Sequence, residues 1–470
     1  MTDNLAQYYR CPEHYIRFGV KGSLSKESGY FRFGEDTVYG RYCGRRPASS
    51  ALECLYDAHA HTIIQNGKTY LPFDFEQVVE GLRYELYARA SDESIKLQSA
   101  LKRLYYLARP LLPIVLRKRL QQFHTKGWEK IPFPHWPVDR TVDSVFEHLL
   151  LLSLKSSGAD KIPFIWFWPH GAPSCAIMTH DVETRAGRDS CTTLMDIDNA
   201  FGINASFQIV PEGRYEVTSS FRDSIISRGV ELAVQDLNHD GYLFMNKRQF
   251  MARVGRINCY GRQWAAEGFR AAVLYRKQEW FDALDFSYDM SVPNVAHLDP
   301  QRGGCCTVMP YFVGKILELP VTTIQDYTLF HILNEYSIDL WKQQMNLIME
   351  RHGLMSFIIH PDYIKGSRER DIYEALLAHL VQLRDQNGVW VATPGEVNQW
   401  WRQRRDMELI EDGNNWRIQG LGSERAKVAY ASGKDGKLVF TLAPRGTARE
   451  KGNVGNGPSA DPGSPRIEFS

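Results

Sequence analysis

The chain has 470 residues, 43% apolar and 24% charged, with a formal net charge of +1 at pH 7. That is the composition of a globular protein of two or three units. It sets up no overall field to draw nucleic acid or anionic lipid, so any partner must be recognised locally.

The N-terminal stretch MTDNLAQYYRCPEHY lacks the basic-then-apolar order of a secretion signal. No apolar run reaches the roughly 20 residues that span a bilayer. The eight cysteines, at 11, 43, 54, 175, 191, 259, 305 and 306, form no CxxC pair. Reduced thiols in a cytoplasmic protein are therefore expected.

Residues 1 to 75 contain short alternating stretches, YFRFG and TVYGRYCG, that predict hairpins. From Phe75 to Leu154 the pattern becomes helical, beginning with FEQVVEGLRYELYARA. It continues as LKRLYYLARPLLPIVLRKRLQQF, which admits two readings. One is a membrane-surface helix giving peripheral contact with a bilayer. The other, which is favoured, is a helix pair kinked at Pro110 and Pro113 and packed on the next unit. Residues 155–172 read as a linker with an aromatic anchor.

Beyond it, short apolar runs alternate with helical stretches. The runs are SCAIMT, INASFQIV, GVELAVQDL, EGFRAAV, FSYDMSV, KILELPVT, MSFIIH and VWVATP. Strand and helix alternating in this way mean parallel strands with crossover helices, an α/β unit. The count favours a barrel over an open sheet, and a barrel carries its site at the C-terminal strand ends. Those ends hold His180, Asp181 and Glu183, then Gln235, Asp236, Asn238 and His239, then Arg270, Asp289, Asp326, and finally His360 and Asp362. Polar, proton-active groups gathered at one end of the strands predict an enzyme. After the last run a small β unit follows, and residues 445–470, rich in Gly, Pro, Ser and charge, read as a disordered tail.

Glu183 and His239 pair a carboxylate with an imidazole, donors that suit Zn²⁺ or another divalent first-row metal. Asp181 stands two residues before Glu183 on the same side of an extended run, free to handle a proton. A metal lowers the pKa of its bound water towards about 7. His360 on the opposite wall can protonate a leaving group, and Asp289 can orient it. Together these residues read as hydrolysis of an amide or ester. Three other features have plainer readings. His59 and His61 suit a loop or helix surface, NHDG suits a turn, and His297 with Cys305 and Cys306 shows no ligand spacing.

The set THDVE, LAVQDLNHDGYLF, GFRAAVLYR, FSYDMSVP, LELPVTTIQD, FIIHPDYI and VWVATPGEVNQWW resembles, in order, the polysaccharide deacetylase superfamily of NodB-like carbohydrate esterases. The resemblance covers about residues 174–400. It implies a deformed (β/α) barrel and metal-dependent removal of N- or O-acetyl groups from sugars. It makes Asp181 the catalytic base, Arg270 its partner, His360 the general acid and Asp289 the support of that acid. Glu183, His239 and position 235 become the metal ligands. Gln235 stands where the resemblance calls for a histidine, Glu183 where it calls for Asp, and Ala272 where it calls for Pro. A neutral amide oxygen is a poorer zinc ligand than imidazole.

The expected organisation is an N-terminal α+β accessory region (1–172), the barrel (173–403), a small β unit (404–444) and the tail (445–470). The expected function is a metal-dependent hydrolase, with zinc, that removes an acetyl group from an acetylated sugar or glycan precursor. Gln235 keeps open the alternative of a degenerate barrel that binds a glycan without turnover. Hydrolysis of a non-sugar amide is a third possibility, because the constellation alone does not define the substrate.

Overall fold

The computed structural model describes residues 4–90, 127–413 and 415–444. The basic segment LKRLYYLARPLLPIVLRKRLQQF and the tail expected at 445–470 lie outside the described residues. Among the described residues, no helix is long and apolar enough to cross a membrane.

The N-terminal region begins with a short helix, Asn4–Tyr9, and strand β1 (Phe18–Val20). The hairpins expected there form as β2 (Gly29–Phe33) with β3 (Asp36–Gly40), and β4 (Ile63–Gln65) with β5 (Lys68–Leu71). Helix Phe75–Arg83 starts where the Asp74 carboxylate accepts the amides of Glu76 and Gln77, at 3.0 and 3.2 Å. Helix Thr141–Ser157 follows, then β6 (Lys161–Ile165), a strand inside the segment read as a linker.

All eight apolar runs are strands. They are β7 (Cys175–Val182), β8 (Ala205–Ile209), β9 (Glu231–Gln235), β10 (Gly268–Arg270), β11 (Tyr288–Asp289), β13 (Ile316–Glu318), β14 (Leu354–Ile359) and β15 (Trp390–Ala392). One short strand between them, β12 (Tyr311–Val313), pairs antiparallel with β13. The sheet runs β12-β13-β11-β10-β9-β8-β7-β14 and is otherwise parallel. Every residue of β7 is buried. It reads as an unbroken apolar run because a parallel sheet is covered on both faces. β14 pairs along one edge of β7, while β15 takes Cys175–Ile177 and β8 takes Met178–Val182 on the other.

The sheet curls, and side chains complete the curl. Beyond β13, the Thr322 hydroxyl donates to Leu354 O at 2.7 Å and accepts from Ser356 N at 2.9 Å. The Thr323 hydroxyl donates to Ser356 O at 2.7 Å. Two buried hydroxyls thus satisfy the free edge of β14 where a backbone ladder would otherwise run. The observed α/β unit is a partly closed barrel.

The C-terminal β unit is two hairpins, β16 (Glu408–Asp412) with β17 (Asn415–Gln419) and β18 (Val428–Lys434) with β19 (Lys437–Leu442). β18 also pairs with β6, so the second hairpin completes a three-stranded sheet with the segment before the barrel. One hydrophobic core runs through all these parts, from Leu5 through Phe164 and Ile177 to Ala431.

Close approach dictates one glycine. Gly268 on β10 lies in register with Tyr288 on β11. A Cβ at 268 would sit 2.3 Å from the Tyr288 ring and hydroxyl. That hydroxyl donates to the half-buried Glu231, so it cannot swing away freely. Gly268→Ala is expected to lower unfolding stability by about 1–3 kcal/mol. Guanidinium denaturation of the two proteins checks this, and an unchanged midpoint would show that the ring yields.

Candidate active site

The strand ends bring the expected groups together. Thr179 and Asp181 alternate onto one face of β7. Arg270, the last residue of β10, lies in register with Gln235, the last residue of β9. Its NH1 donates to Asp181 Oδ1 at 2.6 Å and to Thr179 Oγ1 at 2.8 Å, and its Nε donates to Met290 O at 3.0 Å. Asp181 and Arg270 are 3% and 0% exposed, so each is the other's main counter-charge.

Gln235 Nε2 donates to Asp181 Oδ2 at 3.0 Å and to Glu183 Oε1 at 3.1 Å. After Gln235 the chain kinks, with Asp236 and His239 both at φ 52°. The turn expected from NHDG is real, and it returns His239 to the site. His239 Nε2 lies 2.7 Å from Glu183 Oε1, a short charge contact off the line of a directed hydrogen bond. On the other side of the ring, Arg214 NH2 is 3.2 Å from His239 Nδ1, and it also donates to His239 O. Asp236 stays out of the centre, its carboxylate accepting from Leu237 N at 2.6 Å.

His360 closes the opposite wall at the end of β14. Its Nδ1 lies 2.7 Å from Asp326 Oδ1, its backbone N–H donates to Asp326 Oδ2 at 2.7 Å, and its Nε2 lies 3.5 Å from Glu183 Oε1. Burial pulls the imidazole's pKa down, but Asp326 and Glu183 outweigh it and hold it well above the usual histidine value. Burial likewise pushes the Glu183 carboxyl up, and His239 and His360 outweigh that and hold it well below its usual range.

The support of His360 is Asp326, where the sequence suggested Asp289. Asp289 is fully buried and accepts from Ser291 N and Ser291 Oγ, each at 2.9 Å. It lies in register with Glu318 on the neighbouring strand, and burial pushes both carboxyls up. Asp326 appeared in the sequence only as a polar strand-end residue, and Arg214 carried no signal at all. His180 points away, its Nε2 lying 2.9 Å from the buried Asp198. His59 and His61 sit on an exposed 3₁₀ turn, with His61 stacked on Tyr56. His297 stacks on Trp136, and Cys305 and Cys306 are buried thiols in a loop against Tyr87 and Thr307.

The chain is thus an α/β protein whose curled, largely parallel sheet gathers acidic and basic side chains at its carboxyl ends. No protein-family profile matches the chain, and no curated protein matches it. Solved structures do. One, described as a polysaccharide deacetylase from Mycobacterium smegmatis, is 17% identical over 53% of this chain and 96% of its own, with a TM-score of 0.41. A polysaccharide deacetylase described from Pseudomonas aeruginosa PAO1 is 11% identical over 50% and 93%, with a TM-score of 0.38. Puue allantoinase is 12% identical over 50% and 92%, with a TM-score of 0.37.

The expected ligands Glu183, His239 and Gln235 do converge. Asp181, Glu183 and His360 also offer donor atoms that all lie within 4.8 Å of one another, a cluster of a size to hold an ion. The donors' hydrogens decide against a cation in this arrangement. Arginine has no lone pair to offer, so Nδ1 facing Arg214 must be the accepting nitrogen and Nε2 carries the proton. A metal-bound histidine has the reverse arrangement, donating its outer N–H to a carboxylate or carbonyl. Gln235 likewise turns its N–H₂ to the carboxylates, because its Oε1 there would face two carboxylate oxygens at 3.0–3.1 Å. As arranged, these residues do not fit a divalent metal.

Proposed function

We propose that the chain is a hydrolase that removes an acetyl group, N- or O-linked, from a carbohydrate, working in the cytoplasm on a glycan precursor. One observation carries this reading: Asp181 and His360, on facing strand ends, bring donor atoms within 4.8 Å of one another and of Glu183. The reaction requires a water and the acyl carbon to enter between these two groups. Asp181, held in place by Arg270, takes the proton of the attacking water. His360, kept protonated by Asp326, gives its proton to the leaving nitrogen or oxygen. Glu183 steadies the imidazolium from the other side. Zinc was expected from the sequence, but no step requires it.

Release of acetate from N-acetylglucosamine oligomers, compared between the wild type and His360→Gln, tests the reading. Equal rates would remove His360 from the acid role. A second reading, glycan binding without turnover, is favoured by one specific contact. Both oxygens of Asp181 already accept, from Arg270 and from Gln235, which crowds the base against an attacking water. Tight binding of the oligomer with no acetate released would establish that reading.

Asp326→Asn gives a pH test. The folded His360 titrates above its unfolded value of 6.5. Its contribution to stability is therefore full below pH 6.5 and is lost as pH rises through the folded pKa. Without the Asp326 charge the folded pKa falls. The alkaline limb of kcat/KM should move to lower pH, and the stability difference from the wild type should be largest at acidic pH. A pH–rate profile and denaturation at two pH values measure both, and an unmoved alkaline limb would separate His360 from the rate.

A further inference from the structure

We infer that this centre is built to stand without a metal ion, with the Gln235 amide nitrogen in the place between Asp181 and Glu183 that a cation would take. Two observations carry it. The first is the bridge itself: one N–H₂ supplies one hydrogen to each carboxylate, at 3.0 and 3.1 Å. The second is independent and lies outside the strands. Arg214 reaches the far side of His239 and, having only N–H groups, fixes the tautomer in which Nε2 bears the proton. Glu183 Oε1 thus accepts from Gln235 and lies in short charge contact with His239 Nε2 at 2.7 Å, with His360 Nε2 at 3.5 Å. Charge-assisted hydrogen bonds of this kind do for two neighbouring carboxylates what a cation does, by supplying positive partial charge at short range. Gln235 Oε1 is left buried with no partner, pointing its lone pairs away from the carboxylates it would have to join to bind a metal.

Two features thereby exclude zinc, and either can be removed. Gln235→His restores an imidazole, and Arg214→Gln frees His239 Nδ1. Arg214 is exposed, so its replacement leaves the fold intact. The full chain is equilibrated with Zn²⁺, desalted, and its metal content and affinity are measured against a chromophoric chelator. The wild type should retain no stoichiometric zinc. The double variant Gln235→His/Arg214→Gln should bind it roughly 10–100-fold more tightly, the range over which outer partners tune a metal site. Nitrogen-15 NMR of the histidines should show His239 protonated at Nε2 in the wild type and shifted towards the other tautomer in Arg214→Gln.

Stoichiometric zinc in the wild type that is lost in His239→Ala overturns the inference, as does a wild-type His239 protonated at Nδ1. A double variant as empty as the wild type overturns the roles given to Gln235 and Arg214. All of these readouts are independent of turnover. A metal-free protein that releases acetate in the presence of chelator supports both this inference and the hydrolase reading. A metal-free protein that releases none leaves the inference standing and removes the hydrolase.

Discussion

Asp181→Asn should lower kcat/KM for acetate release by about 10²–10⁴-fold, the span that a positioned general base contributes. It should also lower unfolding stability by about 3–5 kcal/mol, because Arg270 then keeps a buried charge with no counter-charge. Arg270 is 0% exposed and its NH2 already has no partner, so water cannot readily replace the lost contact. The retained bonds to Thr179 and Met290 place the loss towards the lower end of that range. The two effects separate in the double variant Asp181→Asn/Arg270→Met. Removing both charges removes the buried imbalance, so stability returns in part while the rate does not. Denaturant titration and the acetate assay on the three proteins check this. A single variant with wild-type turnover would refute the assignment of Asp181 as base, and a double variant no more stable than the single would show that the pair's worth lies in shape and not charge.

The sequence made the barrel legible because most of its strands are apolar runs ended by polar groups. Asp181 lies at the end of β7 with Glu183 just beyond it, and His360 directly follows β14. Register then delivered what spacing alone could not, placing Gln235 beside Arg270 so that both face the same carboxylate. Asp289 was the natural support for His360 from its strand-end position. The curl of the sheet instead carries the loop after β13 onto β14, through hydroxyls of Thr322 and Thr323 that leave no periodic trace in the sequence. That closure is what puts Asp326 under the imidazole. Strand β6 was hidden for a similar reason. Its partner among the described residues, β18, follows it by more than 260 residues, and a five-residue run containing Pro163 looks like a connection until that partner is known. The charge balance of the centre was the least legible part. It turns on which way an amide faces and on an arginine that enters from a loop, and neither follows from residue type.

Glu85→Ala should cost about 3–5 kcal/mol, as much as any single change outside the centre. The residue lies in the N-terminal region that the sequence marked as accessory, yet it is 4% exposed and its carboxylate is fully engaged. It accepts from Arg276 Nε at 2.8 Å, from Arg276 NH2, and from the backbone N–H of Gly304 at 2.7 Å. Burial would lower the Arg276 pKa, and Glu85 outweighs it, so the guanidinium stays charged inside the protein. Its remaining acceptors are backbone carbonyls such as Leu274 O at 2.9 Å. The loop at Gly303–Gly304 is moulded on the carboxylate, since a Cβ on Gly303 would lie 2.6 Å from Glu85 Oε1. Truncating Glu85 therefore leaves a buried cation and a buried N–H unsatisfied together. It also loosens Leu274, which packs on Val321 and Ile358 two residues before His360. The exposed pair Arg46–Glu27, 2.9 Å apart with side chains 81% and 68% exposed, is the internal control. Glu27→Ala should change stability by no more than about 1 kcal/mol, because water and salt screen it. Guanidinium denaturation of the two variants compares them directly. Equal losses would mean that the N-terminal region is not anchored through Glu85. A loss confined to Glu85→Ala, with slower acetate release, would show that the accessory region holds the rim of the barrel in place.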